Sequence, residues 1–132
     1  MNISPEDKII LLKQKKTMFN LFGNTTEKFQ HIFCEELQNL ISDDQKSGNY
    51  EIIDCRTPGE YHSGHIPGAK LIDLMDPAFR ERIETLDKSK TYYVYCRSGS
   101  RSMTACRLMG DAGIEDLHNV KFGLMGWQGP LE

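Results

Sequence analysis

A chain of 132 residues, 39% hydrophobic and 27% charged, can form one globular domain with a core of its own. Its formal net charge of -3 argues against general nucleic-acid binding, so an anionic ligand would have to be drawn by a local cluster of cations. Four cysteines (Cys34, Cys55, Cys96 and Cys106) lack both the dense spacing of a secreted disulfide scaffold and a Cys-x-x-Cys metal pattern, and read as reduced thiols in a cytoplasmic protein.

In chain order, Ile9-Ile10-Leu11-Leu12 comes first and is followed by Lys13-Gln14-Lys15-Lys16. Four apolar residues are too few for a signal-peptide core or a membrane span. Leu11, Leu12, Lys15, Met18, Phe19 and Phe22 fall at helical spacing, which fits a basic amphipathic helix over 8–22 lying on a membrane surface. The same spacing fits a helix packed on the domain or on a partner, or a loosely ordered tail. Membrane contact is the less favoured reading, because a short helix with few bulky anchors binds a bilayer weakly. Gly23-Asn24-Thr25-Thr26 marks the junction, so residues 1–25 form an extension and 26–132 the domain.

Within the domain, Leu37, Leu40 and Ile41 place an apolar stripe on a helix over 34–41, and 42–49 reads as a polar loop. Strands are expected over 50–54, 69–72, 91–95 and 117–120. A helix over 76–83 would carry Pro77 in its first turn. Ser102, Ala105, Met109 and Ala112 recur at helical spacing over 101–112, with Gly113 placed for a left-handed C-cap.

The chemistry concentrates in Cys96-Arg97-Ser98-Gly99-Ser100-Arg101, between the apolar pentad Thr91-Tyr92-Tyr93-Val94-Tyr95 of the third of these strands and the helix after it. Backbone N–H groups of such a loop can form an anion-binding nest, and the helix dipole adds partial positive charge. Arg97 and Arg101 flank the loop, and each effect favours thiolate over thiol. Cysteine is often only a buried core residue. Two cations and a glycine gathered around one thiol at a strand-to-helix turn favour a nucleophile facing an anionic substrate.

Tyr93-Val94-Tyr95-Cys96-Arg97-Ser98-Gly99-Ser100-Arg101-Ser102 resembles the active-site loop of the rhodanese family of sulfurtransferases. A second block, Asp54-Cys55-Arg56-Thr57-Pro58-Gly59-Glu60-Tyr61 through Gly64-His65-Ile66-Pro67-Gly68-Ala69, is similar to that family's D-x-R…E-[YF]…G-H-I-P-G-A signature. The resemblance runs from near Phe29 to the C-terminus and includes Trp127. It implies an α/β fold, an open parallel sheet flanked by helices on both faces, with the cysteine loop at a strand's carboxyl end, where open α/β sheets hold ligands. It also implies a two-step reaction needing no metal or organic cofactor. Cys96 would take sulfane sulfur from a small anionic donor such as thiosulfate, then pass it from a persulfide to cyanide or a cellular thiol, a thioredoxin-like acceptor included. Arg97, Ser98, Gly99, Ser100 and Arg101 would bind the substrate, with loop N–H groups and Arg101 stabilising persulfide and leaving anion.

Cell-cycle phosphatases and some arsenate reductases resemble rhodaneses but carry His-Cys-x5-Arg. Here Tyr95 precedes the cysteine, and the arginine is Arg101 with Ser102 in sixth place. The shorter loop makes a smaller cradle and favours sulfur over phosphoryl transfer. A non-catalytic rhodanese-like sensing or interaction module is the other alternative, although such modules often lack the cysteine.

Asp54, Arg56 and Glu60 match scaffold positions of the family, with a structural rather than acid–base role. His65 belongs to the Gly-His-Ile-Pro-Gly turn, where a hydrogen-bonding role is favoured over metal; His62 has no cysteine or carboxylate at ligand spacing. By resemblance to the phosphatases, Cys55 could act as a resolving thiol for Cys96; otherwise it fills a valine site. Cys34 and Cys106 read as inert thiols on helices. Where the family has the first of two glycines before its tryptophan, this chain has Phe122, which is expected to resist positive φ and divert the loop or form an apolar rim with Met125.

Overall fold

The computed structural model describes residues 4–7, 27–43 and 49–132. The amphipathic segment considered over 8–22, the junction at 23–26 and positions 44–48 of the polar loop lie outside the described residues. No described helix is long and apolar enough to cross a membrane.

Five strands form one sheet: β1 (Gln30–Ile32), β2 (Tyr50–Asp54), β3 (Lys70–Leu71), β4 (Thr91–Tyr95) and β5 (Asp116–Val120). Their spatial order is β1-β5-β4-β2-β3, and every pairing is parallel. Between them run α1 (Cys34–Ser42), α2 (Pro58–Ser63), α3 (Phe79–Glu84) and α4 (Ser100–Asp111). The central strand β4 is apolar throughout because both its faces are covered. Its side chains alternate between two cores. Tyr92 and Val94 pack with Phe79 and Ile83 of α3 and Ala105, Cys106 and Met109 of α4. Tyr93 and Tyr95 pack on the opposite face with Cys34 and Leu37 of α1. The expected open parallel sheet with helices on both faces is what the chain adopts.

Several boundaries differ from expectation. β1 is an edge strand of three residues in which only Ile32 is buried, too short to show an alternating pattern. The helix expected over 76–83 starts at Phe79, because the Asp76 carboxylate accepts from the Ala78 N–H and holds 76–79 in a turn containing Pro77. α2 arises where Thr57 and Glu60 form a capping box with Pro58 in the first turn. α4 closes as expected: the Gly113 N–H reaches Gly110 O, the Ile114 N–H reaches Met109 O, and Gly113 takes φ 106°.

Candidate active site

Parallel pairing places Asp54 beside Tyr95, and the next residue of each strand is Cys55 and Cys96. The Cys55 N–H donates to Tyr95 O at 3.0 Å, which fixes the two strand ends together. Both cysteines are fully buried. From Cys96 the chain turns through Arg97, Ser98 and Gly99 into α4, with Gly99 in the left-handed region at φ 107°. That turn aims the Gly99 N–H at Cys96 Sγ, 3.1 Å away, and brings the Ser102 hydroxyl to 3.4 Å from the same sulfur.

These donors set the thiol chemistry. The Cys55 S–H donating to Cys96 is the largest influence, followed against it by burial and with it by Ser102 and the Gly99 N–H; together they pull Cys96 down to about 4. The same contact and burial push Cys55 far above the usual thiol range. The Gly99 N–H and the Ser102 hydroxyl both meet Cys96 Sγ, which favours Cys96 over Cys55 as the anionic partner of the pair. Burial raises the thiols of Cys34 and Cys106, the other two, which are buried on α1 and α4 as expected of core residues.

Of the two loop arginines, Arg97 is exposed at the surface of the loop with Ser98 and Ser100. Arg101 instead lies against Glu60, Nη1 to Oε1 at 2.8 Å and Nη2 to Oε2 at 3.0 Å. The guanidinium holds the Glu60 carboxyl at about 2. Below the loop, Asp54 is fully buried and takes Arg56 Nε at 2.9 Å and Nη2 at 2.7 Å. Arg56 Nη2 also donates to Gly64 O, and the Tyr95 hydroxyl donates to Asp54 Oδ2 while accepting the Ile66 N–H. Asp54 and Arg56 thus tie the end of β4 to the turn after α2. His65 stacks on Tyr61 with centroids 3.8 Å apart, its Nδ1 2.9 Å from Tyr61 O. It closes the same turn.

The Phe122 expectation is corrected. Phe122 does occupy the left-handed region, at φ 65°, at a cost of order 1 kcal/mol. Two bonds to the cysteine loop hold it there: the Leu124 N–H donates to Cys96 O at 2.9 Å and the Met125 N–H to Arg97 O at 3.0 Å. The Phe122 ring stays exposed beside Phe33, with Lys121 Nζ 5.7 Å from both rings, and Met125 is exposed as well, so an apolar rim does border the loop.

The sequence places Ser102 on a helix face and in sixth place after the cysteine, without a contact to the sulfur, and does not single out Asn119. Asp54, Arg56, Ser102 and Asn119 are the buried polar residues among those described, and Ser102 and Asn119 hydrogen-bond each other. A polar residue inside an apolar stripe was the available signal for both.

A buried cysteine whose sulfur meets a hydroxyl and a backbone N–H at the carboxyl edge of a parallel sheet defines an α/β domain with a candidate thiol site. The domain family described as rhodanese-like matches residues 34–130, and the chain belongs to that family. A protein of Allochromatium vinosum named sulfurtransferase is 33% identical over 96 residues, 73% of this chain and 85% of that protein. The Bacillus subtilis protein YtwF is 42% identical over 78 residues, 59% of this chain and 73% of its own. Among solved structures, a rhodanese-like domain protein from Staphylococcus aureus superposes with a TM-score of 0.68 at 32% identity, covering 79% of this chain and 97% of that one.

Proposed function

We propose that this domain is a sulfurtransferase that moves sulfane sulfur through a persulfide on Cys96. The observation that carries the reading is the setting of Cys96 Sγ at the end of β4, where it accepts the Gly99 N–H at 3.1 Å with the Ser102 hydroxyl 3.4 Å away, contacts that favour a thiolate. In the first step the thiolate attacks the sulfane sulfur of a donor such as thiosulfate. A new S–S bond forms, the donor's S–S bond breaks, and sulfite departs with the electron pair. In the second step cyanide or a thiolate, including that of a thioredoxin-like protein, attacks the outer sulfur and Cys96 leaves as thiolate. No metal or organic cofactor takes part, and a reducing compartment such as the cytoplasm suits the chemistry.

Arg97 is the cation placed to meet an anionic donor, since Glu60 already occupies Arg101. Arg101 acts through its hold on the loop. Phosphoryl transfer is disfavoured because the place of a sixth loop residue is taken by Ser102, fully buried with its hydroxyl turned towards Cys96. Thiocyanate formation from thiosulfate and cyanide tests the reading: wild type should turn over and Cys96→Ser should not. Equal rates for both would overturn it.

A further inference from the structure

Ser102 and Asn119 are both buried, and neither is explained by packing alone. The Ser102 hydroxyl lies 3.4 Å from Cys96 Sγ, 3.1 Å from Gly99 O, and in hydrogen-bond contact with the Asn119 side-chain amide. That amide in turn lies 3.2 Å from Nδ1 of His31. Parallel pairing of β1 with β5 sets His31 directly beside Asn119, and the His31 side chain is exposed. A continuous hydrogen-bonded path therefore runs from the reactive sulfur, through α4 and β5, to an exposed imidazole on the edge strand.

A hydroxyl has one proton, an amide has one donor end and one acceptor end, and the two amide ends are nearly the same shape. The Ser102 hydroxyl can give its one proton to Cys96 Sγ, to Asn119 Oδ1 or to Gly99 O, and the charge on Sγ biases which partner receives it. If Cys96 is a thiolate, Ser102 donates to Sγ and must accept from Asn119 Nδ2, which turns Oδ1 to His31 and requires a proton on His31 Nδ1. If the charge on Sγ is lost, Ser102 can donate to Asn119 Oδ1, Nδ2 donates to His31, and Nδ1 must be bare. We propose that His31, Asn119 and Ser102 form a polarity-switching hydrogen-bond chain that ties the negative charge on Cys96 Sγ to a proton on His31 Nδ1.

The inference rests on Cys96 being the reacting sulfur. Ser102 touches that sulfur, whereas Asn119 and His31 are positioning residues. When sulfur is loaded, Sγ becomes neutral and the charge moves to the outer sulfur, so each loading frees the chain to reverse and each discharge draws it back. The groups around His31 are Lys121 and Glu27, with Phe29 edge-on at 5.6 Å; Glu27 is itself clamped by Arg107 of α4. Burial and Lys121 lower His31, and Glu27 opposes them. Around Cys96 stand Cys55, Cys106 and Arg101. By reciprocity, thiolate and His31 proton each raise the population of the other.

Imidazole NMR titration of the full chain tests this, with His31 assigned by its loss in His31→Gln. Reduced wild type and Cys96→Ala are compared from about pH 5 to 8, the range in which histidine titrates. The expected result is a lower His31 midpoint in Cys96→Ala, with the neutral ring changing from Nδ1–H to Nε2–H. In a second measurement, the midpoint for iodoacetamide alkylation of Cys96 should rise by about half a pH unit in His31→Gln. An unchanged His31 midpoint and tautomer, or an unmoved alkylation midpoint, overturns the chain. Both readouts follow the thiol itself, so they stand or fall separately from sulfur transfer: transfer with an uncoupled His31 removes the chain alone, and coupling without transfer removes only the proposed reaction.

Discussion

The Arg101 guanidinium lies across the Glu60 carboxylate, each of two nitrogens on one oxygen at 2.8 and 3.0 Å. Glu60 also closes the capping box of α2 through Thr57, so one carboxylate joins the start of α2 to the start of α4. A loop arginine that sequence reading assigns to substrate is thereby engaged in holding the cysteine loop.

Glu60→Gln should lower stability at neutral pH by about 0.5–1 kcal/mol, discounted for partial exposure of both groups. The sign follows from the depressed carboxyl. With Glu60 held at about 2, the contribution is fully present above the ordinary carboxylate range and is lost as pH falls towards 2. Wild type and variant should therefore converge in thermal unfolding experiments at acid pH. A gap of constant size across that range would contradict the ion pair as its source.

Alkylation of Cys96 should be flat with pH through the neutral range and fall only as pH drops through about 4. Cys55→Val removes the largest donor and should raise that midpoint by about one pH unit or more, whereas Cys55→Ser keeps a donor and should move it less. Equal midpoints in wild type and Cys55→Val would show that the Cys55 proton does not support the thiolate.

The neighbouring strand ends give the resolving-thiol idea a definite form. After mild peroxide, a sulfenic acid on Cys96 would condense with Cys55 to a disulfide, releasing water. Wild type should then regain free Cys96 on adding dithiothreitol, while Cys55→Val should lose it progressively to sulfinic acid. Unchanged peroxide recovery in the variant rules the role out.

Gly123→Ala should damage the site from outside it. An added Cβ would collide with Cys96 O and sit 2.9 Å from Arg97 C and O, at a residue with φ 53°. The expected loss is about 2 kcal/mol or more in denaturant unfolding, with slower Cys96 alkylation. Wild-type stability and alkylation together would mean that the turn after β5 does not hold the cysteine loop.

Long-range order was readable where pattern is strong. Tyr92 to Tyr95 declared a strand covered on both faces, and Gly113 declared the end of α4 through its backbone freedom. Cys96 was readable because cations and glycine surround it in sequence. What stayed hidden depends on contacts across the sheet. β1 offers one buried residue, and the bond between Arg101 and Glu60 spans 41 positions. Phe122 shows local preference overridden: two backbone bonds to the cysteine loop hold a conformation that its side chain disfavours. Nor did spacing reveal that Ser102 meets the Cys96 sulfur while Arg101 turns to Glu60, because those contacts form only when α4 packs against β4 and α2.

Intact mass of the reduced protein after thiosulfate treatment tests the central claim most directly, with Cys96→Ser alongside. Wild type should gain one sulfur atom and lose it on adding cyanide, while the variant stays unchanged. A wild type that gains nothing while Cys96 remains alkylatable, or a variant that gains the same sulfur, would contradict transfer through Cys96.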